Sequence, residues 1–119
     1  MFIAAKNEQS KILMGMLSYA TDLVGINAVQ REIEWYEHNE QRQLLLWRTN
    51  DEQYPVCLGI ESLYGTVLVR RIIFNPSLSA GERLALGKEI LHELELRFPD
   101  EGIIGTIVTQ PVLNDWREN

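Results

Sequence analysis

Residues 66–98, TVLVRRIIFNPSLSAGERLALGKEILHELELRF, change period partway along. Thr66 to Phe74 is a run of β-branched and aliphatic residues and reads as a strand. Asn75-Pro76 breaks it, because proline has no N–H to give to a ladder. A helix then starts. Ser79-Ala80-Gly81-Glu82 fits a capping box, in which the serine hydroxyl accepts from the N3 amide and the glutamate reaches back. Leu84, Leu91, Leu94 and Phe98 form its apolar stripe with Gly87 on the same side, Glu82, Glu89, Glu93 and Arg97 form its polar face, and Pro99 stops it. A strand that runs into a helix start leaves free backbone N–H groups where an anion can reach them.

Downstream, Asp100-Glu101-Gly102 is a turn and Ile103 to Val108 reads as a last strand. Strand, helix, strand implies a right-handed crossover with the two strands parallel. Pro111 to Asn119 has room for at most one more helical turn, anchored by Trp116. Upstream, Gln43 to Arg48 and Pro55 to Leu63 read as strands, separated by the polar turn Thr49 to Gln53, and Tyr64-Gly65 turns tightly into Thr66. Such short turns make a three-stranded antiparallel meander, and its strands, apolar on both sides, call for helices on both faces. Strict alternation puts Leu68, Arg70, Ile72 and Phe74 on one face and Val69, Arg71 and Ile73 on the other. Arg70 and Arg71 are therefore expected on opposite faces, reaching the rim, meeting a phosphate or pairing with an acidic helix. Glu61 is the only acid in the meander strands and reads as a rim residue without a role.

The first forty residues supply a short strand, Phe2 to Ala5, and two helices. Asn7 or Ser10 can cap the first, whose apolar side holds Ile12, Leu13, Met16 and Leu17. The second spans Gly25 to Asn39 with Ile26, Val29, Ile33 and Tyr36 on one face. Its Glu32, Glu34, Glu37 and Glu40 read as a solvated acidic face, with a site for a basic substrate as the alternative. His38 and His92 read as surface residues without partners at metal-ligand spacing, so no metal is expected.

A chain of 119 residues fits one domain, 1–119, and 45% hydrophobic residues fill a core. The net charge of −6 argues against nucleic acid or an anionic membrane surface as a partner. One cysteine, Cys57, in an apolar run, reads as a buried small hydrophobe. With no signal peptide and no apolar run of spanning length, the reading is a cytoplasmic protein.

The order of elements, strand, two helices, three antiparallel strands, long helix, strand, resembles the GNAT superfamily of N-acetyltransferases cut short after the fifth strand. The expected fold class is thus α/β (α+β), a mixed sheet with helices on both faces. Within the superfamily the chain resembles the small RibT-type acetyltransferase-like proteins, at Gln41 to Arg48, at Arg70 to Ser77 and at Gly87-Lys88. The resemblance implies that the fourth and fifth strands diverge at their C-terminal ends and that acetyl-CoA lies in the gap. It implies pantetheine contacts from Ile72, Ile73 and Phe74, and a pyrophosphate over Glu82, Arg83, Leu84, Ala85, Leu86 and Gly87, with Lys88 one turn on. This stretch departs from the family pattern Gln/Arg-x-x-Gly-x-Gly/Ala: Ala85 stands where a glycine gives room, and Glu82 puts an anion where a cation or amide is usual.

The implied function is transfer of acetyl from acetyl-CoA to a small-molecule or protein amine, possible by orientation of amine and thioester alone, with a link to riboflavin biosynthesis. The alternatives are a catalytically inactive CoA-binding or protein-interaction module on the same scaffold and an unrelated α+β interaction domain. No tyrosine follows Tyr64 to serve as the superfamily's usual general acid, so the catalytic residues are left unassigned. The uncharged edge of the last strand, with little chain left to cover it, points to a homodimer.

Overall fold

A computed structural model describes residues 1–5 and 9–118. The order is β1 (Phe2–Ala4), α1 (Ser10–Leu17), α2 (Ile26–Glu37), β2 (Arg42–Trp47), β3 (Val56–Leu63), β4 (Thr66–Phe74), α3 (Ala80–Arg97), β5 (Gly102–Gly105) and α4 (Gln110–Glu118). The five strands form one sheet in sequence order. β1 to β4 are antiparallel neighbours, and β4 and β5 are parallel, as the strand-helix-strand order requires. The β3–β4 turn has positive φ at both Tyr64 (47°) and Gly65 (80°), the primed geometry whose twist suits a hairpin.

Two cores sandwich the sheet. Leu45, Trp47, Val56, Leu58, Ile60, Val67 and Val69 meet Ile90, Leu91 and Leu94 of α3 and Leu113 and Trp116 of α4. On the other face, Leu44, Leu46, Cys57 and Ile73 meet Leu13, Met16 and Leu17 of α1 and Val29 and Tyr36 of α2. Burial pushes the Cys57 thiol up to about 12. The native protein is expected to resist thiol reagents at neutral pH and to react once unfolded; fast labelling of folded protein would mean that α1 and α2 open readily.

Five expectations are corrected. The residue at the N-cap of α1 is Gln9, with Ser10 already inside the helix, and Asn7 lies outside the described residues. Ile12 and Ile26 are exposed although both share the apolar register of their helices. β5 ends at Gly105, not Val108, because the Thr106 hydroxyl accepts from the amides of Val108 and Thr109 (3.2 Å each) and curls the chain away. α4 is nine residues long and has two buried anchors, Leu113 and Trp116, where a single turn with one anchor was expected. It folds back beside β5, and Arg117 Nη2 donates to the Ile103 carbonyl at 2.5 Å, so the outer edge of β5 is not bare. No helix among the described residues is long and apolar enough to cross a membrane.

Candidate functional site

β4 pairs with β5 only from Thr66 to Val69. The buried Thr109 hydroxyl donates to the Val69 carbonyl at 2.6 Å and marks the base of the opening. From Arg70 to Phe74 no strand among the described residues pairs with β4 on that side, so backbone groups face a cleft of about 390 Å³. Its walls include Tyr19, Ile72, Ile73, Phe74, Arg83 and Val108. A row of unpaired N–H and C=O groups beside apolar side chains suits an extended ligand that carries amides.

At the far end of the cleft stands the start of α3. The capping box is present: Glu82 N–H donates to Ser79 Oγ at 3.1 Å and Ser79 N–H to Glu82 Oε1 at 2.9 Å. The backbone and side-chain hydrogen bonds with Ser79 hold the Glu82 carboxyl below its ordinary value, so it is an anion at neutral pH. The N–H groups of Ala80 and Gly81 have no acceptor inside the helix. Arg83 Nε donates to the Leu78 carbonyl at 3.2 Å, and its guanidinium lies 5.3 Å from the Phe74 ring centre. Of the ten residues the sequence put at this site, Ile72, Ile73, Phe74 and Arg83 line the cleft. Leu84 and Leu86 pack toward the α3–α4 core, and Ala85 and Lys88 are exposed on α3. Gly87 is buried beneath Trp116: a Cβ there would lie 2.0 Å from the indole Nε1.

A second cavity, about 610 Å³, adjoins the cleft and is lined by Thr21, Asp22, Glu32, Trp35, Tyr36, Arg70, Arg71, Thr106 and Val108. Its charged groups owe their arrangement to one irregularity in β4. Gly59 pairs with Arg71 and Ile60 with Val69, which leaves Arg70 as an extra residue, a β-bulge. Alternation changes phase there. Both arginines therefore turn toward α2, not to opposite faces as strict alternation demands.

Arg71 is clamped: Nη1 and Nη2 donate to the two oxygens of Asp22 at 3.0 and 2.7 Å, and Nε donates to Glu32 Oε2. The hydrogen bond from Arg71 lowers the Asp22 carboxyl below its ordinary value, and those carboxylates in turn hold the guanidinium charged. Arg70 Nε donates to Glu61 Oε1 at 2.6 Å and Arg42 Nε to Glu61 Oε2 at 3.3 Å. Both guanidiniums lie over the Trp35 ring, at 3.7 Å for Arg42 and 5.0 Å for Arg70, where the ring's quadrupole attracts a cation. Glu61 is 6% exposed, so it is a buried partner of two arginines rather than a rim residue. Burial alone would raise its carboxyl; the hydrogen bonds from Arg70 and Arg42 outweigh this and lower it. Tyr36 lies against Gly59 on the α2 face of the sheet, where a Cβ would stand 2.1 Å from the phenol oxygen. Burial pushes its ionisation up, so Tyr36 remains an O–H donor at neutral pH.

Sequence reasoning gave Tyr36 to the core, Glu32 to a solvated face with a site for a basic substrate as the alternative, and no function to Asp22 or Trp35. The available signal was the pairing of Arg70-Arg71 with an acidic helix, one of the three expected fates of those arginines.

A sheet that opens between β4 and a parallel β5 in front of a capped helix defines the GNAT acetyltransferase fold. The chain is similar to an aminoglycoside 6′-N-acetyltransferase from Acinetobacter haemolyticus (TM-score 0.67, 12% identity, covering 96% of this chain and 83% of that one). It is also similar to the spermidine N-acetyltransferase of Vibrio cholerae solved with CoA and spermine (TM-score 0.68, 9% identity, 99% and 78% covered). A putative phosphinothricin N-acetyltransferase matches likewise (TM-score 0.67, 16% identity, 99% and 79% covered). At these identities the structures show a common fold. In sequence, the chain is 29% identical over 104 residues to an uncharacterized N-acetyltransferase encoded in the lysA 3′ region of Bacillus methanolicus, covering 87% of this chain and 84% of that protein. No protein-family model matches the chain. The relative and the solved structures agree on the GNAT acetyltransferase fold.

Proposed function

We propose that the protein is an N-acetyltransferase that moves acetyl from acetyl-CoA to a small-molecule amine. The observation that carries this reading is the parting of β4 from β5 beyond Val69, which joins an amide-lined cleft to a charged cavity. The named activity of the Bacillus methanolicus relative and the CoA bound to the spermidine enzyme agree with it. In this reading the pantetheine arm runs along Ile72, Ile73 and Phe74, and Arg83 with the free amides of Ala80 and Gly81 meets the pyrophosphate. The acceptor enters from the Asp22, Glu32 and Trp35 side. Calorimetric titration with CoA, followed by thiol release from acetyl-CoA over an amine panel, tests it. Absence of CoA binding would refute it, and CoA binding without turnover of any amine would favour the inactive CoA-binding module.

Glu82 bears on the strength of that binding. Its carboxylate is fully exposed at the helix start, where a pyrophosphate would be repelled. Glu82→Gln keeps an acceptor for the Ser79 amide and removes the charge. It is expected to tighten CoA binding by up to about tenfold; equal or weaker affinity in paired titrations would show that the carboxylate points away from the phosphates.

The RibT-type assignment, with its link to riboflavin biosynthesis, is supported by the sequence resemblance alone and is proposed on that ground. A homodimer is proposed as well, and it now rests on exposed Ile104 and Ile107 and not on a bare strand edge. Light scattering at micromolar concentration should give about twice 13.7 kDa, and a mass of 13.7 kDa would rule the dimer out.

A further inference from the structure

We infer that the acceptor is a zwitterion, an amine that also carries a carboxylate, as a free amino acid does. This deepens the acetyl-transfer reading of the same cavity and rests on it. Two ion triads of opposite sign meet the cavity, the first with all three members and the second through Arg70 alone. Asp22, Arg71 and Glu32 sum to one negative charge, and Arg42, Glu61 and Arg70 sum to one positive charge. Neither triad has used all of its hydrogen-bonding groups. Among the described residues, Glu32 Oε1 has no donor, and Nη1 and Nη2 of Arg70 have no acceptor. Glu32 and Arg70 both line the cavity, and Arg70 lines the β4 cleft as well.

The two spare groups ask for complementary partners. Glu32 Oε1 suits an ammonium, and the outer fork of Arg70 suits a carboxylate, which takes two parallel N–H···O bonds from a guanidinium. The Trp35 ring and the Glu61 carboxylate hold the Arg70 plane in place. A polycation has no such match. The cavity lining carries two carboxylates against two guanidiniums, so there is no net negative field to gather a polyamine, and Arg70 repels any second ammonium. Trp35, Tyr36 and Val108 leave apolar wall for a side chain.

Acetyl transfer to such an acceptor balances as follows. The ammonium gives one proton to Glu32 and the freed lone pair attacks the thioester carbonyl, forming the N–C bond. The tetrahedral adduct collapses with cleavage of the C–S bond, the sulfur keeping that electron pair. The second nitrogen proton goes to the sulfur, which leaves as the thiol. The Arg70–carboxylate contact takes no part in bond making and sets the position of the amine.

The test compares L-phenylalanine, L-methionine, L-leucine and β-alanine with their methyl esters and with spermidine, in thiol release from acetyl-CoA by the full chain. CoA binding is measured separately by calorimetry. At least one free acid is expected to exceed its own ester in kcat/KM by about tenfold or more, the worth of one charge-assisted pair. Arg70→Lys, which keeps the charge beside Glu61 but loses the fork, should narrow that ratio by raising KM for the free acid more than for its ester. Equal use of acid and ester, preference for spermidine, or an Arg70→Lys effect equal on both would overturn the inference, as would a CoA-binding protein that uses none of these acceptors. Failure to bind CoA at all would instead refute the acetyl-transfer reading beneath it.

Discussion

Glu61→Ala is expected to lower the stability of the fold by about 3 kcal/mol in urea unfolding at neutral pH. The carboxylate is buried and neutralises Arg42 and Arg70 on the Trp35 ring, and its removal leaves two guanidiniums without a counter-charge. Breaking a buried pair from one side costs about 3–5 kcal/mol; the lower end applies because both arginines keep some contact with water. The pH dependence has a definite sign. The folded carboxyl lies below its ordinary value of 4.5, so its stabilisation is complete above that value and is lost as the pH falls through the folded one. Asp22, also lowered, adds to the same acid limb below its ordinary 3.8. Wild-type protein should therefore lose stability below about pH 4.5 more steeply than Glu61→Gln. Parallel acid limbs in the two proteins would mean that Glu61 is not held by its arginines.

Trp116→Ala is expected to cost about 3–5 kcal/mol, as for a large aromatic deleted from a packed interior. Gly87→Ala alone should cost about 1–3 kcal/mol, because the new methyl would fall on the indole. The informative measurement is the double variant. Once the indole is gone, the three atoms nearest to an alanine Cβ at 87 go with it and the alanine gains helix propensity, so Gly87→Ala should stabilise the Trp116→Ala protein by about 0.5–1 kcal/mol. A change of sign between the two backgrounds identifies Gly87 as the seat of Trp116. Additive losses would mean that the glycine is required for a reason unrelated to that ring.

The Gly87 case shows where reading the chain succeeded and where it stopped. The helix start at Ser79, the meander and the parallel β4–β5 pair were legible because each has a local physical signature: a capping box, tight turns and a proline break. The role of Gly87 was not, since what fills the space above it comes from a helix 29 residues later in the chain. α4 was underestimated for a related reason. Gln110 and Pro111 follow Thr106-Ile107-Val108-Thr109, which looks like a strand until the two threonine hydroxyls are seen to turn the backbone. The charged cavity beside the cleft was the least legible part. Its charged lining comes from the loop before α2, from α2 and from β4, with Glu61 of β3 behind, and the bulge that gathers them leaves no mark in composition.

That bulge has a further consequence for selectivity. Arg70 belongs to the positive triad and Arg71 to the negative one, so the two opposed charge sets are anchored on adjacent Cα atoms, about 3.8 Å apart across one peptide bond. Only the roots of the two arginines are spaced by a covalent length. Glu32 stands on α2 and Asp22 in the loop before it, so the carboxylates can move with those elements while the two guanidiniums stay tied to one strand. Changes in that loop would therefore retune the negative side of the cavity, whereas moving the positive side would require rebuilding β4.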